Sequence, residues 1–287
     1  MEARVPSIDP MTEAAYLGRQ ARPHWPDTVA RLQAASAEVL ARPDVERDVA
    51  YGPHERQRFD FVPATGPARA VLIYLHPGYW QARDKATFAC LAPTFAALGC
   101  DVVTANYPLC PSVSLVELTE AVRALVPVVA AASAARHGRR LPIVAAGHSA
   151  GGHLAVELAM TDWSARGLSG RPVTGVIALS GVFDLVPLVV TSLNVALGLD
   201  AETALAASPV RRVGRIGSAA VFAVGGGETD AFVAQTWTMH DAWRTAGHVS
   251  RMEIVGDDDH FSLLDTLMDP SSGLHAAIAD LIDRAAR

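Results

Sequence analysis

Residues 141–152 of this 287-residue chain read LPIVAAGHSAGG, and they carry most of the information about its fold. Residues 141–146 form an apolar strand candidate, and a helix candidate runs over about 150–160. Between them, residues 147–151 fit the pattern Gly-x-Ser-x-Gly, which at a strand-to-helix turn exposes a nucleophilic serine. Such a turn forces Ser149 into a sparsely populated backbone region, so its neighbours must be small. The segment therefore predicts a nucleophile elbow.

Strands and helices alternate along the rest of the chain. The further strand candidates are residues 57–62, 70–75, 101–105, 173–180, 219–224 and 249–255. The further helix candidates are residues 85–98, 115–136, 230–246 and 272–286. Continuous apolar strands between amphipathic helices are typical of a parallel sheet covered on both faces. The predicted class is α/β, with a doubly wound, mostly parallel sheet and helices on both faces.

Two segments lie outside this repeat. Residues 188–209 fall between two predicted strands and read as helical, which predicts a small helical cap over the site. Residues 1–45 read as helical and irregular, and we expect them to pack on the core near the entrance. Because no Pro/Gly/Ser-rich linker divides the remainder, residues 46–287 are predicted to form a single domain.

The composition narrows the classes of function. A formal net charge of −6 argues against a nucleic-acid partner. Cys90, Cys100 and Cys110 match no metal-binding spacing and are expected to be buried thiols. The first residues lack the apolar run of a signal peptide, and charges or prolines interrupt the longest apolar stretches. We expect a cytoplasmic protein that acts on a small molecule without a metal or organic cofactor. The sequence is compatible with a homodimer as well as with a monomer.

The predicted nucleophile needs a base, and His260 is the best candidate. An imidazole must take the serine proton, and a carboxylate must fix the imidazole tautomer. In this kind of fold the chain order is serine, then acid, then histidine. His240 and His275 fall in predicted helices, and His248 lies at the wrong end of the last strand. His260 follows the last strand at the carboxyl edge of the sheet, where the elbow also lies.

The acid is expected in the loop 225–230, which reads GGGETD. Glu228 and Asp230 are both within reach of His260. Asp230 is well placed to cap the following helix, which favours Glu228 as the acid and leaves Asp230 as the alternative. Asp184, after the preceding strand, is a weaker candidate and more typical of a structural role.

An acyl-transfer site also needs backbone N–H groups to bind the oxyanion. The residue after the serine, Ala150, supplies one. The others are expected from the loop after the strand 70–75, which reads HPGYW at 76–80. Since Pro77 has no N–H, the predicted donors are Gly78 and Tyr79.

Aromatic residues beside the predicted oxyanion loop are candidates for substrate contact. Tyr79 and Trp80 could confine a small acyl group or stack on an aryl ring, and packing in the core is the equal alternative. His148, inside the elbow, is also expected near the substrate.

Together these segments resemble the kynurenine formamidases, the arylformamidases of the hormone-sensitive-lipase-like branch of the α/β hydrolases. HPGYW at 76–80 is similar to their His-Gly-Gly-x-Trp motif, with Pro77 in place of a glycine. Further similar segments are 51–52, 58–61, 147–153, 180–185, 193–194, 197–200, 208–209, 224–228 and 259–261. The resemblance implies Ser149 as nucleophile, Glu228 as acid and His260 as base.

The resemblance also implies an activity. It is the hydrolysis of the N-formyl group of an aryl formamide, with N-formylkynurenine as the family's substrate, through an acyl-enzyme. A carboxylesterase for short-chain or aryl esters is the alternative, because specificity depends on pocket shape. A non-catalytic ligand receptor on the same fold is less expected, because Ser149 and His260 are both present.

Overall fold

Eight strands form one mixed sheet in the computed structural model, which describes residues 7–18, 24–215 and 217–287. Residues 1–6 and 19–23 of the N-terminal segment lie outside the described residues. The strands are β1 (Glu46–Ala50), β2 (Arg58–Val62), β3 (Ala70–Leu75), β4 (Cys100–Ala105), β5 (Ile143–His148), β6 (Val173–Leu179), β7 (Ala219–Gly225) and β8 (Ser250–Val255). Their order across the sheet is β1-β2-β4-β3-β5-β6-β7-β8. β2 pairs antiparallel with β1 and β4, and every other pairing is parallel.

The central strands are buried from end to end. Every residue of β3, β4, β5 and β7 is buried, so both faces of the sheet are covered. Two apolar layers do this, one on each face. Continuous apolar strands are stable only in such a sandwich, because both sets of alternating side chains need apolar neighbours. The α/β class and the doubly wound sheet predicted above are confirmed.

Helices supply both covering layers. One layer contains α4 (Leu115–Arg123), α5 (Leu125–His137), α6 (Ala150–Met160) and α9 (Asp230–Thr245). Those of the opposite layer are α2 (Trp25–Leu40), α3 (Ala92–Ala97), α10 (Leu263–Met268) and α11 (Gly273–Ala285). The short helices are α1 (Pro10–Glu13), α7 (Asn194–Leu197) and α8 (Ala201–Ala206).

Prolines divide two segments that the sequence predicts as single helices. The expected helix 115–136 is two helices, because Pro127 has no N–H to donate to the carbonyl of Arg123. The expected helix 85–98 begins as two short 3₁₀ turns and becomes α-helical only at 92–97. Pro93 cannot donate to the residue four positions earlier, which disfavours a longer α-helix there.

Two elements were not expected from the sequence. β1 reads ERDVA, with charges at its first three positions, and it lies exposed at one edge of the sheet. An edge strand needs no apolar face, so it shows no apolar pattern. α10 has only six residues, too few for a helical period to stand out.

Residues 186–211 lie outside the sheet and contain α7, α8 and two 3₁₀ turns, Val186–Val190 and Pro209–Arg211. The N-terminal segment is bonded to this region. The N–H of Asp9 donates to the carbonyl of Val190 over 2.8 Å, and the N–H of Ser192 donates to Glu13 over 2.8 Å.

Two further features of the described chain concern its cysteines and its helices. Cys90, Cys100 and Cys110 are buried free thiols, as expected. Burial raises the pKa of Cys100 to about 12 and that of Cys110 to about 11, so neither forms a reactive thiolate at neutral pH. Among the described residues no helix has both the length and the apolar character needed to cross a bilayer.

Candidate active site

Ser149 occupies a sharp turn between β5 and α6. Its φ of 55° and ψ of −119° are rarely adopted by a residue with a side chain. The turn is tight enough to require glycine on both sides. A Cβ on Gly147 would lie 2.1 Å from the carbonyl oxygen of Gly151, and a Cβ on Gly151 would lie 1.9 Å from that of Leu75. The geometry is that of a nucleophile elbow.

His260 is held by a carboxylate. Its Nδ1 lies 2.7 Å from Oε2 of Glu228, and both side chains are buried. The two residues come from loops that follow adjacent parallel strands, β7 and β8, so the sheet brings them together. A carboxylate at Nδ1 requires the ring proton there, which leaves Nε2 as the basic nitrogen.

Two further donors fix the Glu228 carboxylate. The N–H of Gly225 donates to Oε1 over 2.9 Å, and the hydroxyl of Ser180 donates to the same oxygen. Ser180 is fully buried at the end of β6, with a φ of 47°. Ser180 was not predicted as a site residue, although its place after β6, next to the elbow strand in the sheet, was a usable signal.

The other two candidate acids lie elsewhere. Asp230 is exposed and is the first residue of α9. The expectation that it caps this helix is wrong, because the capping position belongs to Thr229, whose hydroxyl donates to the carbonyl of Ala15. Asp184 forms an ion pair with Arg211 at 2.6 Å.

Replacement of Ser180 by alanine is expected to lower kcat about tenfold without changing KM. The reason is that Glu228 would lose one donor and hold His260 less firmly; hydrogen bonds to charged groups contribute roughly 1.5–3 kcal/mol. Steady-state kinetics and thermal unfolding would measure both effects. Ser114→Ala is a matched control, because it removes an exposed Ser–Glu hydrogen bond at the start of α4. An unchanged kcat in Ser180→Ala would mean that Glu228 is held firmly enough without the Ser180 hydroxyl, with the Gly225 N–H among its donors.

His148 packs against His260 inside the protein. The two ring centroids are 4.5 Å apart, and the His148 side chain is fully buried. Burial, and then the proximity of His260, hold the pKa of His148 well below its usual range. A neutral His148 adds no repulsion when His260 takes up a proton. The structure therefore places His148 behind the base, and it is not among the residues that line the cavity described next.

A cavity of about 300 Å³ opens over Ser149 and His260. Its other lining residues are Leu17, Trp25, Pro77, Gly78, Tyr79, Arg83 and Phe261. Trp25 and Phe261 stack with ring centroids 3.3 Å apart and form an aromatic wall. Sequence reasoning missed both as site residues; Phe261, next to His260, was within reach of that reasoning, whereas Trp25 joins the site only through tertiary packing.

The predicted oxyanion loop has an irregular backbone. Gly78, Tyr79 and Trp80 all have positive φ, at 123°, 48° and 61°. A Cβ on Gly78 would lie 2.2 Å from the carbonyl oxygen of Ala82, so only glycine fits there. Gly78 and Tyr79 line the cavity, and Ala150 begins α6 directly after Ser149. The three predicted donors therefore come from two segments that border the site.

A buried histidine anchors the start of this loop. The His76 ring stacks on Tyr107 with centroids 4.3 Å apart, and the Tyr107 hydroxyl donates to the His76 carbonyl over 2.7 Å. Nδ1 of His76 lies 2.8 Å from the carbonyl oxygen of Pro77. Burial lowers the pKa of His76 to about 4, so the ring is neutral at physiological pH. His76 thus serves to hold the loop.

The two aromatic residues of the loop point in different directions. Tyr79 lines the cavity, and its hydroxyl donates to the carbonyl of Tyr16 over 2.6 Å, which ties the loop to the N-terminal segment. Trp80 is fully buried in the core, edge-on to His153 at 5.1 Å, and is not among the residues lining the cavity. Of the two sequence alternatives for Trp80, the structure therefore matches packing in the core.

Comparison with known proteins agrees with this architecture. The sequence model of a family with the α/β hydrolase fold matches residues 72–263. A kynurenine formamidase from Salmo salar is 31% identical over 77% of this chain and 76% of its own length. One from Danio rerio is 29% identical over 83% of this chain and 82% of its own.

A solved structure resembles the whole fold. The crystal structure of a candidate thioesterase from Silicibacter sp. TM1040 superposes with a TM-score of 0.81 at 29% identity and covers 94% of this chain and 98% of its own. The fold and the family expected from the sequence are thereby confirmed. The protein is a hydrolase that belongs to the α/β-hydrolase fold family and, within it, to the family of the kynurenine formamidases.

Proposed function

We propose that this hydrolase cleaves the formyl group from an aryl formamide, with N-formylkynurenine as substrate, and that Ser149, His260 and Glu228 carry out the reaction. The observation that supports this most directly is the buried contact of 2.7 Å between Glu228 and His260, on a cavity that Ser149 shares. That arrangement is the one by which a serine hydroxyl becomes a nucleophile at neutral pH.

In the first half of the reaction, Ser149 Oγ attacks the formyl carbon while its proton passes to Nε2 of His260. The tetrahedral oxyanion is stabilised by the N–H groups of Gly78, Tyr79 and Ala150. His260 then gives the proton to the leaving nitrogen, the C–N bond breaks, and the aryl amine departs from a formyl-enzyme. An aryl amine leaves more readily than an alkyl amine, because its nitrogen lone pair is delocalised into the ring.

In the second half, His260 takes a proton from water as the water attacks the formyl-enzyme. The second tetrahedral intermediate collapses, the proton returns to Ser149 Oγ, and formate is released. Glu228 stays bound to Nδ1 throughout and stabilises the imidazolium that forms twice in each cycle. The neutral His148 behind the ring adds no competing charge.

The cavity supports an aromatic substrate with a small acyl group. Trp25 and Phe261 line the cavity with apolar aromatic side chains next to His260, which suits the ring of the leaving amine. Gly78 and Tyr79 border the side where the acyl carbon would lie. The hydroxyl of Tyr79 donates to the carbonyl of Tyr16, so a swing of its ring to admit a long chain would break that hydrogen bond.

An esterase acting on short-chain or aryl esters is the second candidate. It would use the same residues and the same acyl-enzyme, since an ester is an easier substrate than an amide. The similarity at 29% identity to the candidate thioesterase from Silicibacter sp. TM1040 supports this second candidate, because a thioesterase also cleaves an ester-type bond. A receptor role is not favoured, because the buried Glu228 carboxylate orients His260 as a base, and a site that only binds a ligand needs no base.

We further propose that the enzyme works in the cytoplasm on a free small molecule. The three buried, unpaired thiols suit a reducing compartment. The net charge of −6 disfavours nucleic acids as partners.

A substrate panel tests the proposal. N-formylkynurenine is expected to be hydrolysed, and among p-nitrophenyl esters kcat/KM is expected to fall from acetyl to octanoyl. Each methylene that clashes in a cavity of about 300 Å³ could cost about 1 kcal/mol or more. Release of kynurenine and of p-nitrophenol measures the rates, and Ser149→Ala supplies the background. A maximum at octanoyl without formamidase activity would favour a lipase-like esterase.

A further inference from the structure

Arg83 is a cation in the wall of the catalytic cavity. It lies in the loop that follows the oxyanion residues and lines the same cavity as Ser149 and His260. Among the described residues, no carboxylate forms an ion pair with its guanidinium within 4 Å. The reaction proposed above assigns no role to this charge.

The loop and an aromatic ring fix the position of this charge. The Arg83 backbone has a φ of 81°, and its carbonyl accepts a hydrogen bond of 2.8 Å from the Arg56 guanidinium. Its own guanidinium carbon lies 5.0 Å from the centroid of the Trp25 ring. Trp25 in turn stacks on Phe261, so the cation is held against the aromatic wall of the cavity.

The acidic residues that adjoin Arg83 and His260 in sequence have other partners. Asp84, next in sequence, accepts hydrogen bonds from Asn106 at 2.6 Å and from the N–H of Ala86 at 3.0 Å. Asp259, near the base, contacts His24 at 3.2 Å and accepts from two backbone N–H groups. Burial lowers the pKa of Arg83, yet a guanidinium remains charged at neutral pH.

An aryl group that packs against Trp25 and Phe261 inside the cavity would lie close to the Arg83 guanidinium, because all three side chains line that cavity. A guanidinium binds a carboxylate through two parallel hydrogen bonds, which fixes the orientation of the ligand as well as adding affinity. We infer that Arg83 binds a carboxylate on the leaving-group side of the substrate and makes the enzyme selective for aryl formamides or aryl esters that carry such a carboxylate. This inference deepens the proposed function. For formamide substrates it rests on that function; for aryl esters it does not.

Matched substrates and two substitutions of Arg83 test the inference. The carboxylate substrates are N-formylkynurenine and 3-(2-formamidobenzoyl)propionate, and the neutral match is N-formyl-2-aminoacetophenone. In Arg83→Met, KM for both carboxylates should rise about 10- to 100-fold with little change in kcat, as expected for loss of a charge-assisted pair. KM for the neutral substrate should stay within about twofold. Arg83→Lys should show an intermediate KM.

Two controls separate the inference from simpler explanations. Arg140→Met removes an exposed charge ahead of β5, at the opposite edge of the sheet, and should change none of these values. For the unmodified protein, raising the salt concentration to about 0.5 M should raise KM for the carboxylates and leave the neutral substrate unaffected. Equal shifts of KM for charged and neutral substrates, or none for either, would overturn the inference.

An ester pair keeps this test distinct from that of the proposed function. The pair is 3-acetoxybenzoate and phenyl acetate, which differ by one leaving-group carboxylate. If formamides are not hydrolysed but Arg83→Met raises KM for 3-acetoxybenzoate alone, the formamidase proposal fails and the anion site stands. If formamides are hydrolysed and Arg83→Met spares every carboxylate substrate, the anion site fails and the formamidase proposal stands.

Discussion

Replacement of Ser149 by alanine is expected to lower kcat by about 10⁴-fold or more and to abolish labelling by a fluorophosphonate probe. Loss of the nucleophile from a serine–histidine–acid site removes the acyl-enzyme pathway altogether. The variant should fold, because alanine meets the same backbone strain at a φ of 55° and fills the same space without the hydroxyl. Steady-state kinetics on N-formylkynurenine and on p-nitrophenyl acetate would measure the loss.

A second serine supplies an internal control for this experiment. Ser180 also follows a parallel strand with a positive φ, but its hydroxyl donates to Glu228 and Ser180 is not among the residues that line the cavity. Mass spectrometry of the labelled protein should therefore find the probe on Ser149 and not on Ser180. Labelling of the Ser149→Ala variant, or turnover close to that of the unmodified protein, would show that another residue is the nucleophile.

The elbow was predictable because its signals are local. A buried strand, a glycine pattern and a helix follow one another within residues 143–160. The contacts that exclude a Cβ at 147 and 151 come from within that segment and from the neighbouring strand β3. His260 was predictable for a related reason. Parallel strands all end at one edge of the sheet, so a histidine after the last strand must lie on the same side as Ser149.

The aromatic wall of the cavity could not be predicted in the same way. Trp25 belongs to α2, in the N-terminal part of the chain, and reaches Phe261 through packing across more than two hundred residues of sequence. No strand order or residue spacing links them. The contact between His24 and Asp259 brings the same two segments together, and it too is purely tertiary.

The direction of Trp80 was out of reach for a different reason. Side chains alternate predictably only along regular strands and helices. Gly78, Tyr79 and Trp80 have three successive positive φ values, which removes that alternation. Tyr79 lines the cavity and Trp80 lies in the core, and their adjacency in sequence could not distinguish these two positions.

Replacement of Glu228 by glutamine is expected to lower kcat by about 10³- to 10⁴-fold with a smaller change in KM. The amide is nearly isosteric, but it carries no charge to stabilise the imidazolium and can offer an N–H to Nδ1, which would select the wrong tautomer of His260. The hydroxyl of Ser180 and the N–H of Gly225 both donate to the carboxylate, and they would still hold the amide oxygen in place. Kinetics together with thermal unfolding would separate lost catalysis from lost stability.

Asp230→Asn is the matched control for Glu228→Gln, since it removes a carboxylate only two residues away. Asp230 is exposed in the first turn of α9, where a negative charge favours the helix N-terminus by roughly 0.3–1 kcal/mol. Its loss should lower the free energy of unfolding by no more than that and leave kcat unchanged. A fall in kcat for Asp230→Asn with near-normal activity in Glu228→Gln would reverse the assignment. Comparable losses in both would mean that the two carboxylates share the work on His260, which the buried contact of 2.7 Å from Glu228 alone argues against.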